Sequence, residues 1–289
     1  MPGLKEIKRR ISSVKSTKQI TKAMKMVAAA KFRKAQQRIV ELRPYAQKMY
    51  AVLNSLAKTV DTGHPLLEAR TVKKVELLVF SADRGLCGGF NTNIMKAAVK
   101  MTRELQAEGK EVTVSSVGKK ATDLFRRRKA PLRMSWVGLS GKVGYNSAQT
   151  IAKEMMDRYL DGTMDEVIMI YTEFRSAGVQ KVTELQLLPL VSFDKEGSVE
   201  ELTDVFTFEP SEEAVFEQLL PRNIEVQIFR ALLDSAASEE AARMAAMENA
   251  TKSADDMIKR LTLQYNKARQ ASITTELMDI VGGVEALKK

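Results

Sequence analysis

A chain of 289 residues that is 44% hydrophobic and 28% charged belongs with soluble, well-packed proteins of one or two domains, which excludes a disordered or membrane-embedded chain. It holds no apolar run of about eighteen residues, so any membrane role is peripheral. The net charge of +10 is uneven: the first fifty residues carry fourteen Lys or Arg against two acids, Glu6 and Glu41, which leaves the remainder near −2 and assigns the excess to the amino end.

The amino-terminal stretch reads as one long helix. Ile7, Ile11, Val14, Ile20, Met24, Val27, Phe32, Ala35, Ile39 and Leu42 fall at steps compatible with a single apolar stripe. The pattern runs to about residue 58, with a kink or lost hydrogen bond expected at Pro44, and Asp61, Gly63 and Pro65 supply the stop. At 1.5 Å per residue such a helix reaches on the order of 80 Å, more than a small domain is wide. Its basic, acid-poor start superficially mimics a transit peptide, but it is richer in Lys than Arg and continues past any plausible cleavage point.

From residue 70 to 205 the pattern changes to an α/β segment. Apolar, β-rich runs at 75–80, 111–117, 132–139, 166–174 and 181–190 alternate with helical patterns at 91–108, 119–128 and 146–160. That order predicts a mostly parallel, Rossmann-like sheet, with the last strand antiparallel on an edge after the turn at Ser176-Ala177-Gly178. The loop Ser81-Ala82-Asp83-Arg84-Gly85-Leu86-Cys87-Gly88-Gly89-Phe90-Asn91 follows a strand and opens a helix, the place where glycines and helix N–H groups cradle phosphate. It has neither the G-K-[ST] ending of a P-loop nor G-x-G-x-x-G spacing, and a tight turn that needs glycine for its backbone dihedrals accounts for it better.

Other chemistry is sparse. His64, the one histidine, precedes Pro65 in a turn with no second ligand or base near it. Cys87, the one cysteine, excludes an internal disulfide and has no histidine or second cysteine beside it, which fits a reducing compartment. No catalytic, metal-binding or cofactor-binding constellation is expected.

The carboxyl-terminal stretch reads as a second long helix, starting at Glu209-Pro210-Ser211-Glu212-Glu213 and running towards Val281, with an irregularity at Pro221. Its stripe takes in Ile224, Ile228, Leu232, Met244, Met247, Ile258, Leu261, Tyr265 and Ala268, then slips to Ile273, Leu277, Ile280, Val284 and Leu287, as where a seam drifts or changes partner. Two long amphipathic helices at 1–60 and 209–287 pair most simply with each other as an antiparallel coiled coil into which the α/β segment is inserted. The second helix is longer by about 20 residues, so its weakly charged tip extends roughly 30 Å past the pairing and needs an enclosing partner, unless it folds back on the α/β domain.

Three blocks carry a resemblance to a known family. They are Leu4-Lys5-Glu6-Ile7-Lys8-Arg9-Arg10-Ile11 with Thr17-Lys18-Gln19-Ile20-Thr21-Lys22-Ala23-Met24-Lys25-Met26-Val27; the loop 83–91; and Ala241-Ala242-Arg243-Met244 through Tyr265-Asn266-Lys267-Ala268-Arg269-Gln270-Ala271-Ser272-Ile273-Thr274 to Glu276-Leu277. Together they closely resemble the gamma subunits of bacterial F-type ATP synthases, and the resemblance runs end to end. It implies a non-catalytic rotor inside a hexamer of alternating alpha and beta subunits, standing on a ring of membrane c subunits beside epsilon, at the cytoplasmic face of the bacterial inner membrane. Nucleotide and magnesium then bind on alpha and beta.

The resemblance also implies contacts. Positions matching Met24, Lys25, Cys87, Arg243, Gln270, Thr274 and Glu276 lie at or near beta, and those matching Phe206, Phe208 and Glu209 meet the c ring and epsilon, with Phe standing where Tyr is expected. Acidic loops on beta would face Lys18, Lys22, Lys25 and Arg33 as charges that set register and transmit torque. A single cysteine argues against the dithiol-regulated insert of chloroplast gamma subunits. The charge run alone also permits a basic coiled coil that binds nucleic-acid phosphates, although stacking aromatics are missing from residues 1–40 apart from Phe32.

Overall fold

The computed structural model describes residues 3–60, 63–139, 141, 143–176, 178–190 and 208–287. Helix α1 spans Leu4–Thr59 and helix α5 spans Glu212–Leu287. Between them lie β1 (Lys74–Phe80), α2 (Phe90–Ala107), β2 (Glu111–Val117), α3 (Lys119–Arg127), β3 (Leu132–Trp136), α4 (Tyr145–Leu160), β4 (Glu166–Phe174) and β5 (Gln180–Leu188). The strands form one sheet in the order β3-β2-β1-β4-β5, parallel except for β5, which pairs antiparallel with β4 at the edge. This is the Rossmann-like arrangement expected from the alternating pattern. Strand β3 ends at Trp136 rather than 139, because Gly138 turns the chain at φ 81° and its N–H donates to Asp83 Oδ1 at 3.1 Å.

Both internal prolines sit within unbroken helix. Pro44 lies on an exposed face together with Val40, so the carbonyl that loses its N–H partner is left on the solvent side. Helix α5 starts where Ser211 caps it, its Oγ accepting from Ala214 N–H at 3.2 Å. It runs to Leu287, through Gly282 and Gly283, neither of which takes the positive φ that closes a helix.

The chain divides into two compact units, and α1 and α5 each contribute to both. The unit Ala28–Arg243 contains the sheet, covered on both faces. The pleat sends Val75, Leu77 and Val79 of β1 towards α2 and α3, where they meet Ile94, Ala98 and Phe125. Leu78 and Phe80 point the other way, into a core shared with Ile151 and Met155 of α4, Leu53 and Leu56 of α1, and Ile224 and Ile228 of α5. Glu76, fully buried on that same face, is held by the Arg133 guanidinium at 2.8 Å, by Arg158 at 3.5 Å and by the Ser115 hydroxyl, while Arg133 reaches Glu154 at 2.6 Å. A carboxylate survives in such a core only because its charge is matched.

Within this unit α5 is enclosed on nearly all sides between residues 223 and 241. Ser238 donates to the Thr172 carbonyl at 3.3 Å, Tyr145 sets its ring edge on Phe229 at 5.5 Å and donates its hydroxyl to Glu225 at 2.6 Å, and Phe32 meets Phe174 edge-on at 5.3 Å. The enclosure traps Asp234, whose pKa burial pushes up to about 6; Arg230, 3.7 Å away and largely solvated, offsets little of that. A raised carboxylate pKa means that the folded state holds its proton more tightly than the unfolded chain. Its cost to stability is therefore absent below about pH 4 and fully present above about pH 6. Asp234→Asn is expected to raise stability by about 1–3 kcal/mol at pH 7.5, with the gain shrinking towards zero at pH 4, in urea denaturation of the full chain across that range.

The second unit consists of α1 up to Val27 and α5 from Met244 onward. Lys18 Nζ lies 2.5 Å from Asp255 Oδ1, the Thr21 and Thr251 hydroxyls are 2.8 Å apart, and Lys25 Nζ is 3.1 Å from Glu248 Oε1. Each step up α1 matches an equal step down α5, so the helices run antiparallel in heptad register. The seam on α1 is Leu4, Ile7, Ile11, Val14, Lys18, Thr21 and Lys25, and on α5 it is Met247, Thr251, Ala254, Ile258, Leu261, Tyr265 and Ala268. This corrects the predicted stripe at Ile20 and Val27, which are 60% and 56% exposed: apolar letters were followed where the three-four spacing passes through polar residues. The same register brings Leu4 level with Ala268, and every side chain described after Ser272 is exposed. The predicted slip after Ala268 is thus the end of the pairing.

Candidate functional site

The loop between β1 and α2 is built almost entirely from its own polar groups. Asn91 Oδ1 accepts from Ala82 N–H at 2.9 Å, and its amide donates to the Arg84 carbonyl at 3.3 Å and to Cys87 Sγ at 3.1 Å. Asp83 Oδ1 accepts from Lys119 N–H at 3.0 Å in addition to Gly138 N–H. Ser81 closes the base of the loop, accepting from Ala121 N–H at 2.9 Å and donating to the Val117 carbonyl at 3.2 Å. Gly88, at φ 56°, makes the turn; Leu86, at φ 63°, is a strained non-glycine residue whose side chain is 64% exposed.

Arg243 of α5 holds the loop from outside. Its guanidinium lies 2.6 Å from Glu239 and 2.9 Å from Glu240, and one nitrogen approaches the Gly85 carbonyl at 3.5 Å. Lys31 adds a second cation 3.8 Å from Glu240. The Arg243 side chain is only 10% exposed, and the two carboxylates keep its pKa raised despite burial. Cys87 beneath it is 2% exposed; burial pushes its thiol up, against the partial pull of Arg243, so it is not a reactive thiolate. The exposed side chains that this loop offers are Arg84 and the apolar Leu86, the second of which the sequence reading passed over. A large apolar residue between glycines, in a loop otherwise made mostly of polar and small residues, was the available signal.

The crevice at the carboxyl ends of the parallel strands, where chains of this topology bind nucleotides, is filled here by α5. Leu232, Ser235, Ala236 and Glu239 press against Phe80, Ser81 and Gly118 and leave about 30 Å³, room for one water. His64 Nδ1 accepts from Leu66 N–H at 3.1 Å, a turn-stabilising role. Among the described residues no group of His, Cys, Asp and Glu is arranged to hold a metal, and no helix is long and apolar enough to cross a membrane.

The other residues singled out from the sequence fall in separate places. Met24 and Lys25 are half-buried on α1, with Lys25 and Lys18 already paired to Glu248 and Asp255, whereas Lys22 and Arg33 are exposed. Gln270, Thr274 and Glu276 are exposed beyond the seam: Thr274 donates to the Gln270 carbonyl at 2.9 Å, and Glu276 accepts from Ser272 at 3.1 Å. Phe208 packs part-buried against the core, Glu209 is exposed, and Phe206 lies outside the described residues. The carboxylates that hold Arg243, Lys25 and Lys18 were missed, although Glu239 at i−4 and Glu240 at i−3 were readable as helix neighbours of Arg243.

The chain matches the family model described as ATP synthase over residues 3–287. It is 48% identical to the ATP synthase gamma chain of Heliobacterium modesticaldum over 294 aligned residues, covering 99% of this chain and all of that one. It is also 48% identical to the gamma chain of Geobacter metallireducens, with both chains covered completely. Among solved structures, a chain of the central stalk and c-ring of Tetrahymena thermophila mitochondrial ATP synthase superposes with a TM-score of 0.61 at 28% identity, covering 80% of this chain and 99% of that one. The long paired helices, the inserted parallel sheet and these full-length likenesses agree, and the chain belongs to the ATP synthase gamma chain family.

Proposed function

We propose that this chain is the central rotor of an F-type ATP synthase, turning inside an alpha–beta hexamer and carried by the c ring beside epsilon, on the cytoplasmic face of a bacterial inner membrane. It makes and breaks no bonds itself. The observation that carries the reading is the last stretch of α5, where Ile273, Leu277, Met278, Ile280, Val281 and Val284 are all exposed, from 48% to 66%, with no partner helix among the described residues. A bare apolar helix end in water aggregates unless something encloses it, and a hexamer with a central bore does so. One asymmetric axle meets three otherwise identical sites in three different relations, which biases their nucleotide affinities differently.

The contacts assigned to beta follow from this reading: Leu86 at the apex of the loop that Cys87 and Arg243 support, Met24 and Lys25 on α1, and Gln270, Thr274 and Glu276 on α5. Phe206, Phe208 and Glu209 face the c ring and epsilon. A tagged chain is expected to purify with alpha and beta in a 3:3:1 ratio. Recovery of the chain alone from membranes that contain both subunits would refute the reading.

Lys25 separates the two roles a charge can play here. Its ion pair with Glu248 is exposed enough to be screened, so Lys25→Glu costs the chain little stability. Against an acidic loop on beta the same change introduces repulsion. Coupled ATP synthesis in reconstituted vesicles is therefore expected to fall several-fold while the denaturation midpoint of the full chain moves little; a midpoint loss that tracks the loss of synthesis assigns Lys25 to the seam alone.

A further inference from the structure

The charge average over residues 51–289 hides a second basic region, because residues 96–129 hold ten Lys or Arg against four acids. Helices α2 and α3 carry much of it around a cleft of about 550 Å³. The cleft is floored by half-buried Met95, Val99 and Leu124 and rimmed by Lys96, Arg103 and Arg128, which are exposed and have no ionic or hydrogen-bonding partner among the described residues. Lys100 is spoken for by Glu104 at 3.6 Å, the one acid at the rim. Nothing in the ATP-synthase reading assigns a role to this face.

We propose that the α2–α3 cleft is a docking groove for an acidic segment of a neighbouring protein chain, anchored by one or two apolar side chains. The rim supplies a field that favours carboxylates, and the floor supplies apolar area that only a side chain entering the cleft can cover. A membrane surface fits less well: anionic headgroups need a flat or convex basic face, and a concave floor would stay uncovered. Nucleic acid fits less well too, since none of the cleft-lining residues is an aromatic for a base to stack on. That the partner is another synthase subunit rests on the proposed function; that the groove takes an acidic segment does not.

Two measurements decide it. In the assembled complex, a photoreactive benzoyl group placed at Val99 of the full chain is expected to cross-link to one Asp/Glu-rich segment carrying an apolar residue, identified by mass spectrometry, and the Lys96→Glu/Arg103→Glu/Arg128→Glu variant is expected to abolish the cross-link at unchanged complex yield. With the full chain alone, a labelled helical peptide of glutamates with leucine at every i, i+4 position is expected to bind about tenfold more weakly to that triple variant, in about 0.15 M salt, and also when its leucines are replaced by serine. Cross-linking to lipid alone, or a peptide affinity indifferent to the three substitutions or to the leucines, overturns the proposal. If the complex does not form with the unaltered chain, the assembly reading fails, and the peptide measurement still decides the groove.

Discussion

Arg243→Glu is expected to destabilise the Ala28–Arg243 unit by about 3–5 kcal/mol and to abolish coupled synthesis through the loop it supports. The guanidinium now bridges two carboxylates, at 2.6 and 2.9 Å, in a site almost closed to water, and Lys31 at 3.8 Å from Glu240 completes the charge balance. Reversal takes the guanidinium away from Glu239 and Glu240 and adds a third negative charge between them, where solvent screening is weak and Lys31, 3.8 Å from Glu240, is too exposed to offset it. It also removes the donor facing the Gly85 carbonyl, so the β1–α2 loop loses its tie to α5 and Leu86 its fixed height above the surface. Arg243→Lys keeps the charge without the planar fork that serves two carboxylates at once, and is expected to fall between. The discriminating variant is Arg243→Met combined with Glu239→Gln and Glu240→Gln: with no buried charge left, most of the stability should return while synthesis stays low, because the loop is still untied. Urea denaturation and ATP synthesis in reconstituted vesicles measure the two effects separately, and native stability in Arg243→Glu would exclude the buried cluster.

The fold was legible where a local rule coincided with the tertiary one. Strands β1 and β4 are runs rich in apolar, β-branched residues, β5 alternates apolar with polar as an edge strand does, and its antiparallel direction followed from the turn at 176–178. The two helices were visible from length alone. The seam was not, because Lys18, Thr21 and Lys25 occupy positions that a search for apolar letters skips, while Ile20 and Val27 one or two places away attract it. A polar core position makes sense only once its partner is known: Asp255, Thr251 and Glu248 lie more than 220 residues further on.

The contact residues were legible only by resemblance, and the structure changes what several of them can do. Cys87 and Arg243 were read as surface contacts, yet both are buried and act on the loop from beneath and beside it. Whether a titratable side chain faces a partner or its own fold depends on neighbours 150 residues away, such as Gly85 for Arg243, and no local pattern encodes that. The basic α2–α3 face escaped because its charges are split between two helices that a strand separates.

Gly118→Ala approaches the same loop from the opposite side. Gly118 follows β2 at φ 96°, and a Cβ there would lie 2.0 Å from the Ser81 carbonyl oxygen and 2.7 Å from its carbon. Both are backbone atoms, so no rotamer change relieves the overlap. Relief requires parting the ends of β1 and β2, which breaks Ser81 N–H to the Val117 carbonyl at 2.7 Å and Ser81 Oγ to the same oxygen. With ψ at 143° this is the extended positive-φ region that essentially only glycine occupies; its strain adds about 1–3 kcal/mol and the overlap adds more, so a loss of roughly 3 kcal/mol or more is expected. The consequence differs from that of Arg243. Here the base of the loop is displaced while the Arg243 cluster stays neutral, so neither charge removal on α5 nor a change of salt should rescue it. Ser81→Gly, which deletes the hydroxyl but not the carbonyl, is expected to leave Gly118→Ala as unstable as before. Full recovery in that double variant would show that the side chain, and not the backbone of Ser81, sets the close approach.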